Sequence, residues 1–277
     1  MTTYTMITGA TGGLGKAFAV ECASRGWNVY LTDLRGEPLA QLTQSLRNAY
    51  RVDARWRTCD LTDERQRAEL FAALGREGAS FCRLINVAGG DAEGLFAEQS
   101  RERLRLILRL NVEAAIEMTH ALLALREPRS PFRVINVASL AAFYPMPYKA
   151  TYAASKRFMV DLSLALREEL GGENVSMTAL CPAGMPTTPE CIAAIEAQGL
   201  MGYLTTMNTG TVAALALDGS ERGQAVVIPG RFNRALQLAG RLAPAGLVAR
   251  LIGLRWAAAH RKRAVLSATR APAPAYT

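Results

Sequence analysis

Hydrophobic positions along this chain alternate between two rhythms. Short β-branched runs are followed by longer segments whose apolar residues recur every three or four positions. Runs at 4–8, 28–32, 55–59, 83–87, 132–137, 175–181 and 225–228 predict strands. Segments at 13–25, 39–49, one opening at Glu64, 100–126, 152–170 and 209–218 predict helices. Phe18, Cys22 and the alanines share one side of the first helix. Thr62 or Asp63 is the expected cap of the third, and Ser100 that of the fourth, which Pro128 and Pro131 end. Gly171-Gly172 stops the helix before the sixth strand. This alternation predicts a doubly wound α/β domain, with about seven parallel strands and helices on both faces.

The chain has 277 residues, half of them hydrophobic and a fifth charged, which is enough to bury a core without disulfides. Its net charge of +8 matters because of where it sits. Residues 223–277 hold nine basic side chains and no acidic one, whereas the first 222 carry 23 basic against 24 acidic. The body is neutral and the tail is basic. The expected division is a main α/β unit at 1–230 and a basic helical extension at 231–277. In the extension, 232–243 and 245–259 predict two helices parted by Pro244, followed by His260-Arg261-Lys262-Arg263 and a Pro/Ala-rich end. Leu247, Leu251 and Leu254 share a helical face flanked by Arg250 and Arg255. That pattern fits packing on protein or peripheral contact with an anionic membrane. Nucleic acid is not expected, since Phe232 and Trp256 are the main aromatics among the arginines.

The first seven residues lack a basic stretch followed by an apolar run, so no secretory signal is expected. No apolar run approaches the ~20 residues of a membrane span. Five cysteines (Cys22, Cys59, Cys82, Cys181, Cys191) form no CxxC, and three of them lie in or beside predicted strands. Free thiols in a reducing, cytoplasmic setting are expected. With only His120 and His260 present, no metal site is expected.

Thr8-Gly9-Ala10-Thr11-Gly12-Gly13-Leu14-Gly15 joins a predicted strand to a predicted helix. Glycines there let the backbone approach a pyrophosphate, whose oxygens meet free N–H groups at the helix N-terminus. Asp33 ends the second strand, where a carboxylate accepts both adenosine ribose hydroxyls and repels a 2′-phosphate. NAD is therefore favoured over NADP, a preference that Arg35 softens. Tyr152 and Lys156 stand at i and i+4, on one helix face. Ser139 lies just past the fifth strand, on the crevice side of such a sheet. Asn111 is a polar residue in the long fourth helix, and its bland reading is a core side chain bonded to backbone.

With Thr8, Gly9, Gly13 and Gly15 at the fixed positions of TGxxxGxG, residues 3–230 resemble the short-chain dehydrogenase/reductase family in its compact form. The resemblance implies a Rossmann-type sheet and dinucleotide contacts from Gly9, Thr11, Gly13, Leu14, Gly15 and Asp33. It places Asp60, in Cys59-Asp60-Leu61, beside the adenine amino group. Asn86-Val87-Ala88-Gly89 matches the family's Asn-Asn-Ala-Gly, with Val87 for its second Asn; Asn86, Ala88 and Gly89 keep their implied roles. Asn111, Ser139, Tyr152 and Lys156 match the catalytic Asn-Ser-Tyr-Lys set. Pro182 and Gly184 match a Pro-Gly segment interrupted here by Ala183, which leaves either Thr187 or Thr188 to bond the nicotinamide carboxamide. Residues 189–206, with Met201, Tyr203 and Leu204, are expected to form a mobile lid suited to a lipophilic substrate.

The expected chemistry follows from charge. A tyrosine titrates near ~10 unless cations favour its phenolate, which Lys156 and an oxidised nicotinamide would do. Tyr152 would then give its proton to a carbonyl oxygen as hydride arrives, with Ser139 bonding the same oxygen. The resemblance further implies that Lys156 grips the nicotinamide ribose and Asn111 holds a water leading to solvent. The expected function is an NAD-dependent oxidoreductase interconverting a secondary alcohol and a ketone, on a steroid-like or 3-oxoacyl substrate. An NADP-dependent carbonyl reductase and a non-catalytic nucleotide-binding regulator are the alternatives. A homodimer or homotetramer through the helices carrying Asn111 and Tyr152 is implied.

Overall fold

The computed structural model describes residues 2–197 and 199–269. Seven parallel strands run β1 (Thr3–Thr8), β2 (Val29–Asp33), β3 (Ala54–Thr58), β4 (Ser80–Asn86), β5 (Phe132–Val137), β6 (Val175–Leu180) and β7 (Val226–Val227). Their order is β3-β2-β1-β4-β5-β6-β7, so direction of travel reverses between β1 and β4. A crevice opens beyond the carboxyl ends of the strands at such a reversal. Thr8 pairs in register with Thr32 and Asn86, and Asn86 with Asn136, which sets one crest along that edge.

Helices α1 (Gly13–Ser24), α2 (Gly36–Tyr50) and α9 (Thr209–Glu221) cover one face. The other carries α3 (Glu64–Arg76), α4 (Arg101–Leu108), α5 (Ala114–Ala124) and α6 (Ala150–Leu170). Successive strand residues feed opposite faces, as the two-residue period requires. Ile7, Leu31, Ile85 and Ile135 pack with Phe18 and Cys22, while Met6, Tyr30, Leu84 and Val134 pack with Leu70 and Met118. Helix α3 is capped by Asp63, whose carboxylate accepts from the Arg65 and Gln66 N–H groups. Ser100 caps α4 by accepting from Arg103 N.

The segment expected as a lid carries α7 (Pro189–Ala197) and α8 (Leu200–Thr205). Three expectations are corrected. The long fourth helix is not uniform, because a π turn at Arg109–Glu113 separates α4 from α5. The seventh strand is trimmed to two residues. In the tail, α10 (Arg231–Leu242) and α11 (Ala245–Thr269) flank Pro244, and α11 runs through His260-Arg261-Lys262-Arg263 instead of ending before it. The Pro/Ala-rich end at 270–277 lies outside the described residues. Among those described, no helix is long and apolar enough to cross a membrane.

Candidate active site

The glycine turn sits at the β1 end with Gly9 at φ 63°, a left-handed backbone that favours glycine. A Cβ on Gly15 would fall 2.1 Å from Gly9 O and 2.8 Å from Ala10 Cα, so α1 abuts the turn directly. No side chain caps α1 at Gly12. The N–H groups of its first turn therefore lack intrahelical partners and face outward as an anion cradle. Asp33 Oδ2 accepts from Thr11 N at 2.9 Å, and Arg35 Nη2 donates to Thr11 Oγ1 at 2.6 Å. Turn and β2 end are thus one unit. These residues fit a dinucleotide, with phosphates at Gly13, Leu14 and Gly15 and the ribose at Asp33.

Asp60 is held by its own loop, accepting at Oδ1 from Thr62 N at 2.9 Å and Thr62 Oγ1 at 2.7 Å. The next carbonyl, that of Leu61, accepts from Arg67 Nη1 at 2.8 Å. Arg67 is only 1% exposed although it lies on α3. Its remaining donors reach Glu113 at 2.6 Å and Glu117 at 2.6 and 2.8 Å. One guanidinium thereby ties the Asp60-Leu61 loop to the π turn and to α5. A helical arginine reads as a surface residue, and only the packing shows otherwise.

The π turn aims Asn111 inward. Its Oδ1 accepts from Gly90 N at 2.8 Å, and its Nδ2 donates to Gly90 O and Ser155 Oγ, each at 3.0 Å. Lys156 Nζ donates to Val137 O at 2.8 Å. A Cβ on Gly89 would lie 3.1 Å from Asn111 Oδ1 and 3.2 Å from Lys156 Nζ, so glycine here lets both polar groups converge. Lys156 Nζ also lies 5.9 Å from the Tyr152 ring centroid. Burial and then the Asp91 carboxylate push the Tyr152 phenol above the ordinary tyrosine value, against the nearby Ser139 hydroxyl, which draws it down, so the lowering expected from Lys156 is corrected for the site without dinucleotide. Burial pulls the Lys156 ammonium down to about 8, against the opposing pull of Asp91. All four residues of the predicted set are brought together.

Asn86 does not face this cluster. Its Nδ2 donates to Asn136 Oδ1 at 2.8 Å and Thr119 Oγ1 at 3.1 Å, while Asn136 Nδ2 donates to Ser163 Oγ at 3.0 Å. This buried lattice locks β4, β5 and α6 together behind the site. Ala88 N and Val87 N both donate to Thr8 Oγ1, at 3.1 and 3.0 Å, which joins that loop to the glycine turn. Pro182 O accepts from Leu140 N at 2.8 Å, and Gly184 O from Met207 N at 3.1 Å. Both threonines left open bond Cys191 at the start of α7: Thr188 Oγ1 accepts from Cys191 N at 3.2 Å, and Thr187 Oγ1 donates to Cys191 Sγ at 3.4 Å. Thr187 lies over the cradle, its Cγ2 2.8 Å from where a Gly13 Cβ would stand.

Sequence reasoning missed a charged group at the mouth. Lys149 Nζ pairs with Asp91 and Glu93 and stands 5.6 Å from the Tyr152 ring centroid. Its only sequence signal was a lysine three residues before the tyrosine. Tyr148, beside it, adopts φ 70°, a strained value for a bulky side chain, and its carbonyl accepts from Gly94 N at 2.9 Å. Trp256 of α11 closes over Lys149, centroid to Nζ 5.1 Å. The described cysteines are all free, and burial raises Cys22 and Cys181 to about 12, which makes inert thiols. Among the described residues no His, Cys, Asp and Glu group is placed to hold a metal.

Comparison with known proteins agrees with this arrangement. The short chain dehydrogenase family model matches residues 3–192. A sulfoacetaldehyde reductase of Chromohalobacter salexigens is 32% identical over 224 residues, covering 80% of this chain and 87% of that protein. A very-long-chain 3-oxoacyl-CoA reductase of Laccaria bicolor is 28% identical over 181 residues, 64% of this chain. The match spans only about half of that relative, 53% of its length. Among solved structures, the bulky-bulky ketone specific alcohol dehydrogenase from Comamonas testosteroni superposes with a TM-score of 0.71 at 28% identity, over 87% of this chain and 93% of that one. A short-chain dehydrogenase from Sphingobium yanoikuyae in complex with NADPH gives 0.72 at 27%, over 99% and 100%. A family match over more than half the chain, on this sheet order and glycine turn, fixes the kinship: the chain belongs to the short-chain dehydrogenase family.

Proposed function

We propose that this protein is an NAD-dependent oxidoreductase that interconverts a secondary alcohol and a ketone. The convergence of Asn111, Ser139, Tyr152 and Lys156 on one end of the crevice carries this reading. Bound in the cradle, the dinucleotide supplies or accepts the hydride. Tyr152 donates its proton to the carbonyl oxygen in reduction and takes it back in oxidation. Ser139 donates a hydrogen bond to the same oxygen and stabilises the alkoxide as charge develops. Lys156 supplies the positive field that makes the phenol a usable acid, and Asn111, fixed on Gly90, holds the proton path open behind it. A panel of alcohols and ketones run with NAD(H) and NADP(H) tests this. Tight dinucleotide binding without turnover across the panel would favour a regulator on the same fold.

The preference for NAD rests on Asp33, whose carboxylate is drawn against the turn by Thr11 N. A 2′-phosphate there would meet that charge at close range. Arg35 at the same edge, together with the NADPH complex of the Sphingobium relative, favours NADP as the second reading. Asp33→Ser is expected to move the ratio of kcat/KM for NAD over NADP by about 100-fold toward NADP. A ratio unchanged by the substitution would remove Asp33 from cofactor selection.

Lys156 should also shape the pH profile. Its ammonium is the charged form below about 8 and is lost as pH rises through that value. Turnover in reduction is therefore expected to fall above pH 8, and Lys156→Arg to carry that limb to higher pH. A profile flat from pH 7 to about 9.5 would count against this role for Lys156.

For the substrate we favour a lipophilic ketone or alcohol, steroid-like or 3-oxoacyl, because the segment after Thr188 exposes Met201, Tyr203 and Leu204. Homodimer or homotetramer formation is proposed through α4, α5 and α6, which expose Leu106, Leu108, Ile116, Phe158 and Leu164. The free thiols favour a reducing, cytoplasmic setting.

A further inference from the structure

Helices α10 and α11 are anchored to the catalytic body on their inner sides. Asn233, buried on α10, donates through Nδ2 to Pro229 O at 2.8 Å and to Thr205 O, at the end of α8, at 3.1 Å. Gly240 lies flat on Tyr144, where a Cβ would come within 2.0 Å of the ring. On α11, Gly253 faces Pro147 and Trp256 stacks on Lys149. Both tail helices therefore lean on the segment 144–149 that leads to Tyr152.

Their outer sides are inverted for a protein in water. A solvated helix turns its leucines inward and its charges outward. On α11 the exposed stripe is Leu247, Arg250, Leu251, Leu254 and Arg255, at helical spacing, with the three leucines 52%, 59% and 63% exposed. The α10 face repeats the pattern with Leu238, Arg241 and Leu242, the last 80% exposed, while Arg234 turns back to donate to Ile228 O at 3.0 Å. Helix α8, bonded to α10 through Asn233, exposes Leu200, Tyr203 and Leu204. None of the three helices contains an Asp or Glu. The surface is at once apolar and purely basic.

We propose that the outer faces of α8, α10 and α11 seat this protein on an anionic lipid bilayer, with the approach to Tyr152 turned toward the membrane. Leucines enter the acyl boundary while the arginines meet lipid phosphates, the arrangement that suits a helix lying in the interface. Charge decides between lipid and a second copy. Two copies meeting through this face would bring like-charged arginine rows together without a carboxylate between them. The inference goes beyond the catalytic reading and does not depend on it.

Flotation of the full-length protein with phosphatidylcholine vesicles, with and without phosphatidylserine, tests it. Binding is expected to be about tenfold or more tighter to the phosphatidylserine vesicles and to weaken with added salt. Leu251→Glu with Leu254→Glu should abolish it, and Arg241→Glu with Arg250→Glu should remove the lipid preference. Both pairs are solvent-facing, so circular dichroism and turnover of a water-soluble substrate should stay at wild-type levels. No flotation of wild type on either vesicle would overturn the proposal. So would flotation unchanged by the leucine substitutions, or a dimer-to-monomer shift in those variants without any change in flotation, which would assign the face to a second copy.

Discussion

Tyr152→Phe is expected to lower kcat by about a thousandfold or more, with dinucleotide affinity and the circular dichroism spectrum nearly unchanged. The substitution removes one oxygen from a side chain fixed in place by α6, and nothing else. That oxygen lies close to the Ser139 hydroxyl and beside a buried lysine. With the phenol gone, Ser139 still donates to the substrate oxygen, but the site has no group positioned to release a proton to it. Burial and Asp91 favour the protonated form of Tyr152, which keeps its proton available for reduction. Steady-state rates on any good substrate, with dinucleotide binding followed by fluorescence, check this. Turnover within tenfold of wild type would refute the assignment.

Gly15→Ala should have the second largest effect. The new methyl carbon would sit 2.1 Å from Gly9 O and 2.8 Å from Ala10 Cα, atoms of the backbone with no rotamer to yield. Nor can α1 withdraw, because Phe18, Ala19 and Cys22 are buried against the sheet. The clash must be relieved by moving the turn, which displaces the N–H groups meant for phosphate. A stability loss of about 3 kcal/mol is expected, with Tm lower by about 5–10 °C. Dinucleotide affinity should fall by about 100-fold. Gly75→Ala is the control: it is helical with open space around its Cβ position, so it should be neutral or slightly stabilising. Equal effects at both positions would mean that the turn geometry is not what matters.

Much of this molecule was legible because local chemistry and tertiary context agreed. The strand at Phe132–Val137, the Asp63 cap and the glycine turn each need only neighbouring residues to be recognised. The Asn-Ser-Tyr-Lys set was legible by resemblance, and its members do meet. What escaped was set by contacts distant in sequence. The π turn at Arg109–Glu113 leaves no mark on periodicity over so short a span, and its reason, Asn111 bonding Gly90, is tertiary. Lys149 gains meaning only when Asp91, Glu93 and Trp256 arrive from other segments. Thr187 and Thr188 were equivalent by spacing, and both turn out to bond Cys191 at the start of α7. For the lid segment, no periodicity marked the two helices, α7 and α8, that form there. The tail was legible in composition but not in pose. Its leucine stripe was visible, yet which side of α11 faced the body depended on Gly253 and Pro147.

Arg67 has a consequence for how damage to this protein combines. Its four hydrogen bonds are divided between the loop after Asp60 and two carboxylates, Glu113 at the end of the turn that bears Asn111 and Glu117 one helical turn beyond. Two regions far apart in sequence therefore share one fastening. Independent lesions add their free energies only when they have no partner in common. A change in the Asp60-Leu61 loop and one near Asn111 should thus combine non-additively, the second costing less once the first has loosened Arg67. Genetic variation at this site should show epistasis between residues that never touch, with the buried guanidinium as its physical carrier.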